Sequence, residues 1–237
     1  MIAGPDGWCL TAEGAAVHPG EAVAIIADVH LGYEWARATR GDVVPAHSLA
    51  ETLTKLEALR ARTRIERLVV AGDLVESRRP CRRTAQDEDR LVSWLAERGV
   101  ELVALQGNHD PPRHPPRPET LEIAGWTIGH GHRPIAGRRT MCGHHHPVLR
   151  AGSLVAPCFL VGPTTIVLPA FSPNAAGLDV TAPVLPDALR IASARCVAGL
   201  GGELLDFGPL PDLVRQLRGG RRGGERNVVT ARRPPTP

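Results

Sequence analysis

Three short apolar runs set the plan of this chain, because each ends on a polar stop and an amphipathic stretch separates it from the next. Val23 to Ala27, Leu68 to Ala71 and Val100 to Gln106 read as buried strands. The first stops at Asp28-Val29-His30-Leu31-Gly32, the second at Gly72-Asp73 and the third at Gly107-Asn108-His109-Asp110. Ser48-Leu49-Ala50-Glu51 has the form of a capping box, and Leu49, Leu53, Leu56 and Leu59 then mark one helical face. Thr84-Ala85-Gln86-Asp87 opens a second helix, with Leu91, Val92 and Leu95 on its apolar side and Gly99 as its stop. This β-α-β-α-β order predicts parallel strands joined by right-handed crossovers. In open α/β sheets ligands gather beyond the carboxyl ends of the strands, where these Asp, Asn and His residues fall. If strand conformation persists to His30, Asp28 and His30 point to the same side.

Around this unit, Trp8 to Ala16 reads as a strand, linked to Val23 to Ala27 through a turn at His18-Pro19-Gly20. Pro111 to Pro118 holds five prolines and must be a loop. Short strands follow at Leu121 to Ile123 and Trp126 to Ile128, before Gly129-His130-Gly131-His132 and Cys142-Gly143-His144-His145-His146-Pro147. Phe159 to Val161, Thr165 to Leu168, Cys196 to Ala198 and Glu203 to Leu205 predict a second, mixed sheet, the last two as a hairpin. Pro209 to Leu217 reads as a closing helix. Residues 1–218 therefore form one domain, and 219–237, rich in Gly, Arg and Pro, read as a disordered basic tail.

Composition narrows the class. Aromatics make up only 3%, so the core must rely on Val, Leu, Ile and Ala. Five cysteines are odd in number, dispersed and without a CxxC. That argues against a disulfide framework or a thiolate zinc site and predicts a reducing, cytoplasmic setting with inert thiols. No basic segment leads into an apolar run near the first residue, and nothing approaches a membrane span, so neither a signal peptide nor a membrane partner is expected. The net charge of +3 permits a polyanionic partner without demanding one.

Asp28, His30, Asp73, Asn108, His130, His144 and His146 offer carboxylate, amide and imidazole ligands and no thiolate. That mixture suits Mn²⁺, Fe or Zn²⁺ better than Ca²⁺. His132 competes with His130, which is favoured because it directly follows the apolar run. His145 points away if its segment is extended. His18, His47 and His114 read as surface or turn residues. Arg78, Arg79, Arg82 and Arg83 follow Asp73 closely; they either line a groove for nucleic-acid phosphates or form a solvated loop.

The five blocks Asp28-Val29-His30, Gly72-Asp73, Gly107-Asn108-His109-Asp110, Gly129-His130 and Gly143-His144-His145-His146 resemble the ordered motifs of the calcineurin-like metallophosphoesterases. The resemblance implies an α/β fold, a four-layer α/β/β/α sandwich of two mixed sheets with two divalent metal ions between them. It implies that Asp28, His30 and His146 hold one ion, that Asn108, His130 and His144 hold the other, and that Asp73 bridges. His109 is then the catalytic histidine near the leaving-group oxygen, with Asp110 a candidate to orient its ring. The segments from Asp28 to Glu34, Pro157-Cys158-Phe159-Leu160 and Leu168-Pro169-Ala170-Phe171-Ser172 are similar to the DNA-ligase-associated (PdeM-type) branch and its archaeal relatives, and Asp206-Phe207-Gly208 fits the archaeal proteins. Glu76 departs from that branch, which has His there; a carboxylate must orient the catalytic imidazole in its place, or that role is lost.

The implied activity is hydrolysis of phosphodiesters by a metal-bridged hydroxide, in a DNA nuclease or phosphodiesterase linked to DNA repair, with Mn²⁺ as the expected metal. Two alternatives stand beside it. One is a phosphatase or phosphodiesterase acting on small nucleotides. The other is a metal-binding scaffold for a DNA ligase or helicase partner.

Overall fold

The fold, given by a computed structural model, describes residues 1–191 and 193–223. Six strands form the first sheet in sequence order: β1 (Ile2–Ala3), β2 (Cys9–Leu10), β3 (Ala16–His18), β4 (Val23–Ile26), β5 (Arg67–Val70) and β6 (Glu101–Ala104). β4, β5 and β6 are parallel, as the alternating pattern predicts. Helices α1 (Tyr33–Ala38), α2 (Ser48–Arg62) and α3 (Arg82–Ala96) lie in the connections between these three strands.

The second sheet comprises β7 (Thr120–Ile123), β8 (Trp126–Gly129), β9 (Thr140–Cys142), β10 (Pro147–Ala151), β11 (Leu154–Val161), β12 (Thr165–Val167), β13 (Leu178–Asp179), β14 (Arg195–Leu200) and β15 (Glu203–Pro209). It mixes parallel pairs, such as β8 with β9, and antiparallel ones, such as the expected β14–β15 hairpin. Helix α4 (Leu210–Gly223) closes the described chain.

Strand alternation assigns each apolar side chain to one of three cores. Ile25, Ala27, Val69 and Ala71 from the first sheet meet Trp126, Ile128, Phe159 and Ile166 from the second, between the sheets. The intervening Ala24, Ile26, Leu68 and Val70 pack outward against Leu56 and Leu59 of α2 and Leu91 and Leu95 of α3. On the far face of the second sheet, Cys158, Leu160, Val167 and Cys196 pack against Leu210 and Leu213 of α4. These layers are the α/β/β/α sandwich. The scarce aromatics are spent inside it: Trp8, Trp126, Phe159 and Phe171 are among the largest fully buried side chains.

Several local expectations are corrected. Trp8 to Ala16 is not one strand; it breaks into β2 and β3 around a turn closed by Thr11 N–H to the Ala15 carbonyl at 2.9 Å. Ser48 caps nothing. It lies inside α2 after His47, is buried, and donates its hydroxyl to Glu34, which ties α2 to α1. Helix α3 starts at Arg82, before the expected Thr84. β6 is an edge strand, which leaves Glu101 exposed and Leu102, Val103 and Ala104 half-buried; the loop carrying Pro118 bonds Gln106 just beyond it. The closing helix runs past Leu217 to Gly223, so residues 219–223 of the expected tail are helical; the remainder of that tail lies outside the described residues. Among the described residues no helix is long and apolar enough to cross a membrane.

One packing contact reaches towards the strand ends. Lys55 of α2 donates to the Phe171 carbonyl at 2.6 Å and sits 4.0 Å above its ring, while the Phe171 N–H bonds the Ala27 carbonyl beside Asp28. Burial brings the Lys55 ammonium down from 10.5 to about 8, although Glu13 and Glu51 pull it up. Between those values the unfolded chain holds a proton that the folded chain has shed, so stability rises with pH across this window. The rise is expected to be on the order of 3 kcal/mol. Urea unfolding below and above the window should show it in the wild type and not in Lys55→Met.

Candidate metal centre

All seven residues marked as ligands by the sequence converge at the carboxyl ends of β4 and β5, facing the second sheet. The chain reaches this arrangement through turns, not by extending the strands. Asp28, His30, Asp73, His144 and His146 adopt left-handed backbone, with φ of 57°, 51°, 51°, 67° and 44°. The alternation expected to align Asp28 with His30 therefore does not operate, since β4 ends at Ile26. Each such residue costs about 1–3 kcal/mol, and such strain gathers at functional sites. What holds it is continued pairing of the two loops. Asp28 N–H reaches the Gly72 carbonyl at 3.2 Å, His30 N–H that of Asp73 at 3.1 Å, and Leu31 N–H that of Leu74 at 2.9 Å.

Two glycines are fixed by crowding. A Cβ on Gly107 would lie 2.1 Å from Asp73 Oδ1, and one on Gly143 would lie 2.3 Å from Asp28 Oδ2. Only a residue without a side chain lets those loops approach the two carboxylates so closely.

Each central carboxylate is gripped on one oxygen and presents the other. His144 N–H donates to Asp28 Oδ2 at 2.9 Å, and Asp28 Oδ1 lies 3.2 Å from His146 Nε2. His109 N–H donates to Asp73 Oδ1 at 2.8 Å, and Asp73 Oδ2 lies 3.2 Å from His130 Nε2. His130 Nε2 also lies 2.9 Å from Asn108 Oδ1 and 3.2 Å from His144 Nδ1.

The imidazoles are tied from behind. His130 Nδ1 donates to the Ala71 carbonyl at 3.1 Å, His146 Nδ1 to that of Ala176 at 3.3 Å, and His109 Nδ1 to that of Glu76 at 2.7 Å. His30 Nδ1 lies 3.0 Å from the Glu76 carboxylate. Such backing fixes the tautomer and leaves the opposite nitrogen with its lone pair turned forward.

The carboxylates and imidazoles also act on one another. Burial pushes the Asp73 carboxyl up, but its hydrogen bond and charge contact with His130 outweigh burial and hold it at about 2. Burial pulls His130 down, but Asp73 and Asp28 raise it above the ordinary imidazole value. His146 behaves alike, burial being outweighed by Asp28. His144 is brought down to about 4 by burial and by the charge of His130, so it stands neutral with a free lone pair.

Asp28, His30 and His146 bring ligand atoms within 4.8 Å of one another, as do Asp28, Asp73 and His130. Asp28 Oδ1, His30 Nε2 and His146 Nε2 are buried without a hydrogen-bond partner. Buried polar atoms are normally satisfied, so a cluster of orphaned donors of lone pairs fits a divalent cation well.

Two secondary residues differ from expectation. Asp110 does not orient His109. It is buried and accepts from the N–H groups of Asp73, Val75 and Gly107 at 3.0, 3.2 and 2.9 Å, and pairs with Arg117 at 3.0 Å. The His109 imidazole is oriented by the main-chain carbonyl of Glu76, which any side chain at that position would supply; the carboxylate serves His30 instead. Neutralising it in Glu76→Gln is expected to weaken metal binding about tenfold, since such outer partners are typically worth about 10–100-fold. Titration of Mn²⁺ into the two proteins measures this.

His132 packs its ring 5.2 Å from that of His130 and 6.2 Å from that of His144. His145 turns the other way and lines a cavity of about 480 Å³ with Arg133, Cys142 and Arg190. Burial pushes the Cys142 thiol up to about 12, as an inert thiol requires; for Cys81 the push of burial is outweighed by hydrogen bonds from Thr84 and Arg83, which hold its thiol below the ordinary value. Arg78 and Arg79 border a separate cavity with His109 and Asn108, and Arg40 joins them there; nothing in the sequence singled it out. The backing carbonyl of Ala176 and the Arg117 partner of Asp110 were equally silent, because both come from loops without a motif.

The arrangement has counterparts among known proteins. Residues 22–156, more than half of the chain, match the family model described as calcineurin-like phosphoesterase. The DNA double-strand break repair protein Mre11 of Methanopyrus kandleri is 34% identical over 88 residues, which cover 37% of this chain and 19% of that protein. The crystal structure of Pseudomonas putida nuclease MPE superposes with a TM-score of 0.61 at 24% identity, covering 81% of this chain and 92% of that one, and so shares the fold. The matched stretch includes all the strand-end turns described above, from Asp28 to His146. With the site and the sandwich in agreement, the chain belongs to the calcineurin-like phosphoesterase family, hydrolases that act on phosphoester bonds with the help of divalent metals.

Proposed function

We propose that this protein is a two-metal phosphodiesterase that cleaves DNA in a repair setting. The observation that carries the reading is the convergence of two ligand sets on paired carboxylates. Asp28, His30 and His146 would hold one ion, Asn108, His130 and His144 the other, and Asp73 would bridge. Bound there, two divalent ions, with Mn²⁺ expected, would supply a Lewis acid for the phosphate and lower the pKa of a water. Asn108 contributes a neutral ligand, which preserves positive charge for an anionic substrate.

The rest falls to the chain. His109 is tied at Nδ1 to the Glu76 carbonyl, so Nε2 is the nitrogen left to act. As the phosphorus–oxygen bond breaks, a protonated His109 gives its Nε2 proton to the departing oxygen, a contribution typically of about 10²–10⁴-fold. Arg78 and Arg79, beside His109 and Asn108, would contact substrate phosphate. Two relatives whose names denote DNA break repair and a nuclease support nucleic acid over small nucleotides.

The test is hydrolysis of bis-p-nitrophenyl phosphate and of DNA with chelator and then with excess Mn²⁺. Both activities should vanish with chelator and return with metal. Turnover of mononucleotides but not DNA would favour the small-nucleotide enzyme. Bound metal with no turnover would favour the scaffold for a ligase or helicase.

A further inference from the structure

Beyond His109 and Asn108 the surface dips into a cavity of about 330 Å³, bordered by Thr39, Arg40, Ser77, Arg78 and Arg79 as well as Glu76. The three guanidinium groups come from two segments: Arg40 follows α1, while Arg78 and Arg79 follow the Gly72-Asp73 turn. The carboxylates that could neutralise them are engaged elsewhere. Glu76 lies against His30 at 3.0 Å, Asp42 pairs with Arg37 at 2.9 Å, and Glu88 pairs with Arg117 at 2.8 Å and with Arg113. Among the described residues Arg40, Arg78 and Arg79 have no ion-pair partner. Ser77 Oγ accepts the Arg79 N–H at 3.1 Å, which folds that loop so that its two arginines border one cavity.

We infer that this cavity binds a second phosphate of the substrate, one that is not cleaved, on the leaving-group side of the scissile bond. The inference rests on the phosphodiesterase reading and on the role of His109 there. A residue that protonates the departing oxygen must face the departing nucleotide, and the cavity continues from that residue. Three unpaired cations around a space the size of one nucleotide suit a phosphate attached to that nucleotide, since charge-assisted contacts from arginine are the strong ones. The preferred substrate is therefore a nucleic-acid strand with at least one phosphate beyond the scissile one, not a dinucleoside monophosphate.

The experiment uses the Mn²⁺-loaded full chain and four substrates: bis-p-nitrophenyl phosphate, thymidylyl-thymidine, and the same dinucleotide with an added 5′- or 3′-terminal phosphate. The phosphate that ends on the released nucleoside should raise kcat/KM about tenfold or more over the unmodified dinucleotide, as expected for charged hydrogen bonds. In Arg40→Ala and in the Arg78→Ala/Arg79→Ala double variant that ratio should fall towards one, and Arg78→Lys should keep part of it. Arg98→Ala, at a residue that follows the far end of α3 and packs on Trp94, should retain the full ratio. A wild-type ratio near one, or a ratio that survives the substitutions, would overturn the inference while hydrolysis of bis-p-nitrophenyl phosphate kept the phosphodiesterase reading alive. Loss of bis-p-nitrophenyl phosphate hydrolysis in the wild type would overturn that reading itself.

Discussion

Replacing Asp110 with Ala is expected to lower the unfolding free energy by about 3–5 kcal/mol, the range for removing one partner of a buried ion pair. The reason lies in what the carboxylate joins. Its two oxygens take the main-chain N–H groups of Asp73 and Val75 from one loop and Gly107 from the next, and face the Arg117 guanidinium. Removing it leaves three buried N–H groups without an acceptor and takes from a nearly buried arginine one of its two counter-charges, the other being Glu88. Water cannot easily replace it, because Asp110 itself is only 1% exposed. Asp110→Asn keeps the shape and one accepting oxygen, so it should fall between wild type and Ala. The same contacts hold Asp73 and Asn108 in register, so Mn²⁺ affinity should drop in parallel with stability. Urea unfolding of the three proteins, with and without metal, measures both. A loss below about 1 kcal/mol in Asp110→Ala would mean that the loops hold their own geometry.

His109→Ala is expected to reduce kcat on DNA by about 10²–10⁴-fold while leaving metal affinity nearly unchanged. The side chain and the backbone do different work at this position. The backbone N–H anchors Asp73 Oδ1, and Ala preserves it; in the proposed mechanism the ring would contribute only its proton. The loss should depend on the leaving group. A DNA alkoxide needs a proton to depart, whereas nitrophenolate leaves well without one. Hydrolysis of bis-p-nitrophenyl phosphate should therefore fall much less than DNA cleavage. Equal losses on both substrates would assign His109 to binding or metal placement instead.

Periodicity and residue chemistry determined a good deal. The runs at Val23, Leu68 and Val100 fixed three parallel strands, since an apolar stretch between amphipathic helices has few other ways to be buried. The polar residues that end those runs marked the site, because side chains able to bind metal are costly to place there without a use. The carboxylate, amide and imidazole set excluded thiolate chemistry before any geometry was known.

What periodicity could not reach is whatever depends on distant loops meeting. Asp28 and His30 share a side through two left-handed turns braced against Gly72, Asp73 and Leu74, not through strand alternation. Asp110 serves the backbone of two loops, not its neighbour's ring, because a buried carboxylate goes where N–H groups are unsatisfied. Ser48 looks like a helix cap in sequence, yet Glu34 captures it once α1 and α2 pack together. Glu76 splits its duties between main chain and side chain, which a residue letter does not reveal. The sequence by itself determined which residues gather at the strand ends; only the tertiary structure decided how they are held, since that depends on hydrogen bonds and charges between loops far apart in the chain.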